Sequence, residues 1–176
     1  MTASLLISIL VVTLASPAPS STPSTQSMVC SLLTAADIEA ATGAKPDAQA
    51  HPAQLAAPGA SEPTQMCTWV VRPLKGQVVV SAAHVPPGTD VSALAKNNAG
   101  MDALRAANWK EESKDFAGAR CTVMTPPASV KDPLLFSSCT SGSKGWALSV
   151  VFTSPSKRLS IEQTKGLLDK AAARLR

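Results

Sequence analysis

Four cysteines, Cys30, Cys67, Cys121 and Cys139, constrain this chain of 176 residues more than any other feature. The sequence contains no C-x-x-C pair and neither histidine lies near two cysteines, so the spacing argues against a zinc site. In an oxidising compartment four cysteines form two disulfides, for which three pairings exist. The chain is therefore predicted to fold around two covalent cross-links, provided that it is exported.

The N-terminal region indicates export. The first 36 residues carry no charged side chain, and residues 5–15 form a mainly apolar run of eleven. A bilayer span needs about 20 apolar residues, whereas this shorter run suits the core of a signal peptide. We predict cleavage after Ala15 or Ala18, although no Lys or Arg precedes the run.

The domain organisation follows from this prediction. Residues 1–18 are the signal peptide, residues 19–28 are a Ser/Thr/Pro-rich linker with nothing to bury, and residues 29–176 are a single domain. The mature protein is predicted to be periplasmic or extracellular, without a transmembrane span.

Local patterns predict three helices. Thr34 and Asp37 form a variant of the capping box for a helix over 35–42, and Gly43 ends that helix. A second helix starts after Thr89 or Asp90 and is weak at residues 97–100. The last helix carries Ile161, Thr164, Leu168, Ala171 and Leu175 on one face at spacings of three and four, which is typical of an amphipathic helix. We predict that Ile161, Leu168 and Leu175 pack against the apolar face of the strand that precedes this helix.

Other patterns predict strands. Two β-prone runs, 67–72 and 77–85, flank the turn sequence PLKG and predict a hairpin. Further strands are predicted near 119–124, at 135–140 and, from strict apolar alternation, at 146–153. Residues 44–65 are predicted to form an irregular loop, and the charged residues around Glu111 a helix end or loop.

These elements predict an α+β fold, in which helices cover an antiparallel sheet that two disulfides hold together. The blocks that begin at Cys67 and Cys139 share the order strand, Gly-containing turn, strand, Pro-containing loop and helix. This order suggests two ββα repeats. The alternative is the ordinary alternation of hairpins and helices in α+β domains.

Catalytic and metal-binding motifs are not evident. Ser141 with Lys144, and Ser154 with Lys157, match S-x-x-K, but both pairs fall in predicted turns and lack the accompanying motifs of Ser-Lys acyl enzymes. We predict no catalytic residue, no metal ligand and no cofactor. Trp109 is the one tryptophan not predicted to lie in the core.

The net charge of +4 comes entirely from residues after position 155. These cations form a possible surface for an anionic partner, such as lipid, cell-wall polymer or acidic protein; they are Lys157, Arg158, Lys165, Lys170 and Arg174. Nucleic acid is not expected as the partner, because no aromatic residues are interleaved with the basic ones.

The stretch CSLLTAADIEAATG from Cys30 to Gly43, followed by CTW at Cys67, resembles a group of small exported domains of unknown function in bacterial envelope proteins and lipoproteins. This chain lacks their lipidation cysteine. The resemblance implies a Cys30–Cys67 disulfide, and hence Cys121–Cys139. It implies no catalytic residue.

The predicted function is an exported, non-catalytic binding module of the cell envelope. Its partner would be a protein, a small ligand or an anionic surface, and an inhibitor or immunity role fits this class. The alternatives are a small serine-dependent hydrolase and a structural accessory of an envelope assembly.

Overall fold

A seven-stranded antiparallel sheet with helices on both faces forms the core of the protein. The computed structural model describes residues 28–56, 62–96 and 99–175. The predicted signal peptide and all but the last residue of the predicted linker lie outside the described residues. The α+β prediction is confirmed.

The strands follow one another in an order that requires few long connections. They are β1 (His51–Leu55), β2 (Thr64–Val71), β3 (Gly76–His84), β4 (Lys110–Phe116), β5 (Ala119–Thr125), β6 (Leu135–Ser143) and β7 (Trp146–Ser154). The helices are α1 (Ala35–Thr42), α2 (Val91–Lys96), α3 (Ala99–Ala106) and α4 (Ile161–Arg174). Across the sheet the order is β1-β2-β3-β7-β6-β5-β4.

Several local predictions are confirmed. Helix α1 spans the predicted residues, and its capping box is formed: Thr34 Oγ1 accepts from the Asp37 amide at 3.2 Å, and Asp37 accepts from the Thr34 amide at 2.9 Å. Gly43 ends α1 with a φ of 71°, a conformation that favours glycine. The hairpin β2–β3 and the alternating strand β7 also form as predicted.

The two edge strands were predicted wrongly as irregular segments. β1 consists of five exposed residues and contains Pro52, and β4 is the charged stretch KEESKDF. Neither has an apolar face that would identify it in the sequence. Each forms by pairing with the backbone of its neighbouring strand, β2 for β1 and β5 for β4. Pro52 is accommodated in β1 because proline is tolerated at a sheet edge.

One face of the sheet, the disulfide face, carries Cys67, Val80, Val150 and Cys139 in a single row across β2, β3, β7 and β6. The disulfides are Cys30–Cys67 and Cys121–Cys139, as the resemblance implied. The first joins the segment before α1 to β2, and the second links β5 to β6 beneath α4. Both cross-links therefore lie on the same face.

Helices α1 and α4 cover the disulfide face. Leu168 of α4 is buried, as are Leu148, Val150 and Phe152 of β7, so the predicted docking of the last helix on this strand is confirmed. Thr164 of α4 donates to the Ser160 carbonyl and lies 3.1 Å from the hydroxyl of Ser137 on β6.

The opposite face, the hydroxyl face, carries Thr122, Ser138, Thr140 and Ser149. Helix α2 lies over it, since Gly142 on this face contacts Val91 of α2. The predicted ββα order occurs twice, but α2 and α3 cover the hydroxyl face while α4 covers the disulfide face. If the two ββα blocks were related by twofold symmetry, the axis would lie between the antiparallel neighbours β3 and β7, perpendicular to the sheet. Such an axis would place the helices of both blocks on the same face. The helices lie on opposite faces, so the two blocks are not related in this way.

Candidate functional site

The main cavity lies between the hydroxyl face and helices α2 and α3. Its volume is about 380 Å³, within the usual range of roughly 300–1,000 Å³ for small-molecule sites. The helical wall consists of apolar side chains, namely Ala95, Met101 and Leu104. The cavity is partly open to solvent, so a ligand has a route of entry.

The floor of the main cavity is lined by hydroxyl groups from three neighbouring strands. Thr122 of β5 faces Ser138 of β6, and Thr140 of β6 faces Ser149 of β7. Thr140 Oγ1 donates to Ser149 Oγ at 3.1 Å. A hydroxyl both donates and accepts hydrogen bonds, so this floor can bind a polar group of either kind.

The void exists because small side chains occupy the middle of the hydroxyl face. The floor offers short Ser and Thr side chains where the disulfide face has Val, Leu and Phe. At one end Gly142 lets α2 approach closely, because a Cβ at this position would lie 3.1 Å from Val91 Cγ2. Helix α2 therefore lies close to the sheet near Gly142, while the short side chains of the floor leave space beneath α2 and α3.

Helix α2 begins directly after Asp90, one of the two predicted cap residues. Asp90 Oδ1 accepts from the Ala93 amide at 3.0 Å, so Asp90 provides the side-chain cap. Within the described residues the predicted second helix comprises α2 and α3, and residues 97–98 of the predicted weak point lie outside the described part of the chain.

A network of charged side chains fastens α3 to the edge of the sheet beside the cavity. Arg105 of α3 donates to Glu111 Oε2 at 2.6 Å and contacts Asp102 at 2.5 Å. Arg120, which lines the cavity, lies 3.3 Å from Glu111 and 2.9 Å from Asp115. The bond from Arg105 lowers the pKa of Glu111 to about 2, against the opposing effect of burial, and Ser113 and Arg120 add to the lowering.

The predicted cationic residues lie far from the cavity and contact groups of the chain itself. Lys157 Nζ donates to the Thr42 carbonyl at 2.6 Å, and Arg158 donates to Thr125 Oγ1 at 2.5 Å. Lys165 pairs with Asp169 at 2.6 Å. These contacts use hydrogen-bond donors that an anionic partner would have to bind, and Asp169 also neutralises the charge of Lys165.

The remaining two predicted cations, Lys170 and Arg174, converge on Asp37 of α1 at 3.1 and 2.6 Å. Arg174 also donates to the Leu32 carbonyl at 2.9 Å. Burial raises the pKa of Asp37, but the bonds from Arg174, Thr34 and Lys170 outweigh it and hold that pKa well below its usual range. These cations thus clamp α4 to α1, and an anionic partner for them stays a prediction.

The two S-x-x-K matches do not form Ser–Lys pairs. Lys144 Nζ donates to the Leu175 carbonyl at 2.9 Å, and Lys157 donates to Thr42. Ser154 donates to the Leu74 carbonyl at 2.6 Å and accepts from the Lys157 backbone amide. Ser154, at the end of β7, therefore stabilises the turn that follows it, whereas Ser141 lies within β6 and not in the predicted turn.

The histidines lie apart from the hydroxyl floor. His84 is exposed at the end of β3, stacks on Trp146 with ring centroids 3.5 Å apart and lies 3.8 Å from Glu62. His51 is exposed on β1. Among residues 28–56, 62–96 and 99–175 no cluster of three potential metal ligands occurs. In the same part of the chain, no helix has both the length and the apolar character needed to cross a bilayer.

No family model, no curated protein and no solved structure matches this chain. The resemblance to small envelope domains therefore stays a prediction.

The sequence analysis did not identify the main cavity. The one signal was the second face of the alternating strand β7, where Ala147, Ser149 and Val151 are all small. A strand with large residues on one face and small ones on the other indicates unequal packing on its two sides. The helices that form the roof of the cavity could not be placed on this face from their sequence.

Proposed function

We propose that this protein is an exported, non-catalytic module that binds a small ligand in the main cavity. The observation that carries the proposal is the hydroxyl floor beneath an apolar helical roof. Such a combination of a few polar groups with apolar walls is typical of ligand sites.

Two further observations support individual parts of the proposal. Disulfides persist in oxidising compartments, so Cys30–Cys67 and Cys121–Cys139 favour export, in agreement with the charge-free N-terminal segment. Binding is favoured over serine-dependent hydrolysis because the described residues that line the main cavity include no His, Lys or carboxylate that could take a proton from Ser138 or Ser149. A nucleophilic serine is activated by such a base.

The cavity favours a small ligand over a protein partner. Its floor lies beneath α2 and α3, where a macromolecular surface cannot reach without displacing the two helices. The charged residues beside it, Arg105, Glu111 and Arg120, already pair with one another.

A fluorescence titration with N-phenyl-1-naphthylamine, a neutral probe of apolar sites, tests the proposal. We expect saturable binding to the mature protein. Thr140→Phe would place a ring in the cavity and weaken binding by about tenfold or more. Thr68→Phe is the matched control, because Thr68 lies on the same face in β2 but outside the cavity.

Thermal melts would first establish that both variants are folded. Binding that is lost only in Thr140→Phe supports a ligand in the main cavity. The absence of saturable binding, or equal effects of the two substitutions, would overturn the proposal.

A further inference from the structure

A second cavity adjoins the main one and suggests the kind of ligand that both would hold. Its volume is about 340 Å³. The two cavities share Leu104 of α3 and Phe136 of β6 as lining residues. The boundary between them is therefore formed by side chains that can change rotamer.

The second cavity is more apolar than the first. Trp109, Val130, Pro133 and Leu134 line it together with the two shared residues, and its polar lining residues are Asp132 and Thr153. Val130 and Leu134 are 38% and 52% exposed, and they are two of the four large exposed hydrophobic residues in the described part of the chain. Large apolar side chains that gather at a cavity while exposed to water indicate a site that an apolar group covers.

Trp109, which the sequence does not place in the core, lies half-buried in the wall of the second cavity. A ring that is neither in the core nor fully exposed offers a flat apolar surface to a ligand.

The charges beside the main cavity favour a neutral polar group on the hydroxyl floor. Two guanidinium groups, of Arg105 and Arg120, pair with three carboxylates, of Asp102, Glu111 and Asp115. An anionic ligand would have to compete with those carboxylates for Arg120, and a cationic ligand with the guanidinium groups for the carboxylates. A neutral hydroxylated group would break none of these ion pairs, because it can form hydrogen bonds with the Thr and Ser side chains of the floor.

We propose that the ligand is a neutral single-chain amphiphile, with a hydroxylated head on the floor of the main cavity and an acyl or alkyl tail in the second cavity. The inference rests on the proposed function, since the head occupies the same cavity. The tail passes between Leu104 and Phe136 and covers Leu134 and Trp109.

Competition against bound N-phenyl-1-naphthylamine tests the head and the tail separately, with all compounds below their critical micelle concentrations. The head is tested with monolauroylglycerol, laurate and dodecyltrimethylammonium. We expect monolauroylglycerol to compete about tenfold better than either charged compound. Equal or better competition by laurate or by the ammonium compound would overturn the assignment of a neutral head.

The tail is tested by chain length and by a matched pair of leucines. Affinity should rise from hexanoylglycerol to monolauroylglycerol. Leu134→Ser should weaken monolauroylglycerol by about fivefold to tenfold and leave hexanoylglycerol unchanged. Leu94→Ser is the control, because Leu94 is 53% exposed, close to the value for Leu134, but lines neither cavity.

The outcomes separate this inference from the proposed function. If chain length and Leu134→Ser have no effect while Thr140→Phe still abolishes probe binding, the second cavity does not hold a tail and the main cavity remains a ligand site. If the probe does not bind to the mature protein, the proposed function fails and this inference fails with it.

Discussion

The two faces of the sheet differ in the size and burial of their side chains. The disulfide face presents Val78, Val80, Leu148, Val150 and Phe152, all of them buried. The hydroxyl face of the same strands presents Val79, Ser81, Ser149, Val151 and Thr153, which are partly exposed. Because side chains alternate along a strand, the same backbone supports a dry core on one side and a hydroxyl-lined cavity on the other.

The covering helices differ in the same way. Helix α4 has 14 residues, a complete capping box at Ser160 and a clamp to Asp37, and both disulfides lie beneath α1 and α4. Helices α2 and α3 have six and eight residues and no disulfide, and the charge network around Glu111 holds α3. The disulfides and the fully buried apolar side chains of β3 and β7 therefore lie on the disulfide face, and the proposed ligand site lies on the other.

The largest expected effect comes from removing a cross-link on the disulfide face. Replacing Cys30 and Cys67 together by Ala should destabilise the protein by about 4 kcal/mol, because that disulfide restricts a long loop of the unfolded chain. Replacing Cys121 and Cys139 should cost about 3 kcal/mol, because the loop is shorter. Urea denaturation would measure both, and a larger loss for the second pair would contradict this account.

The next prediction compares the loss of stability when one leucine on each side of the sheet is replaced by alanine. Leu168→Ala should cost about 3 kcal/mol, because it leaves a void in the packed core of the disulfide face. Leu104→Ala should cost about 1 kcal/mol, because Leu104 is half-buried against an existing cavity. Equal losses in urea melts would show that the two faces are packed alike and that the comparison is wrong.

The third effect concerns the charge network on the hydroxyl side. Glu111→Gln should cost about 2 kcal/mol at neutral pH, since the carboxylate pairs with Arg105 and Arg120. Because the folded pKa of Glu111 lies below its unfolded value, this stabilisation is fully present above about pH 4.5 and is lost as the pH falls towards 2.

The matched control for this change is Glu112→Gln, at the exposed neighbouring residue on the other face of β4. Urea melts of both variants at pH 7 and pH 3 would measure the effect. The difference between Glu111→Gln and wild type should shrink at the lower pH, while Glu112→Gln should follow wild type at both. A difference that grew on acidification would contradict the role of this carboxylate.

The sequence was informative where a structure is specified by neighbouring residues. The capping box of Thr34 and Asp37, the turn between β2 and β3, and the apolar alternation from Trp146 are all local. They were predicted correctly because each depends on hydrogen bonds or burial within a few residues. The edge strands β1 and β4 have no such pattern, because they form by pairing with β2 and β5.

The sequence alone therefore determined the α+β class, the main elements and the amphipathic character of the last helix. Tertiary structure decided which face each helix covers, and with it the position of the cavity. It also decided what the C-terminal cations contact, because Lys170 and Arg174 pair with Asp37, which lies more than 130 positions away in the sequence. Such pairings depend on how distant segments pack, and composition shows only that the charges exist.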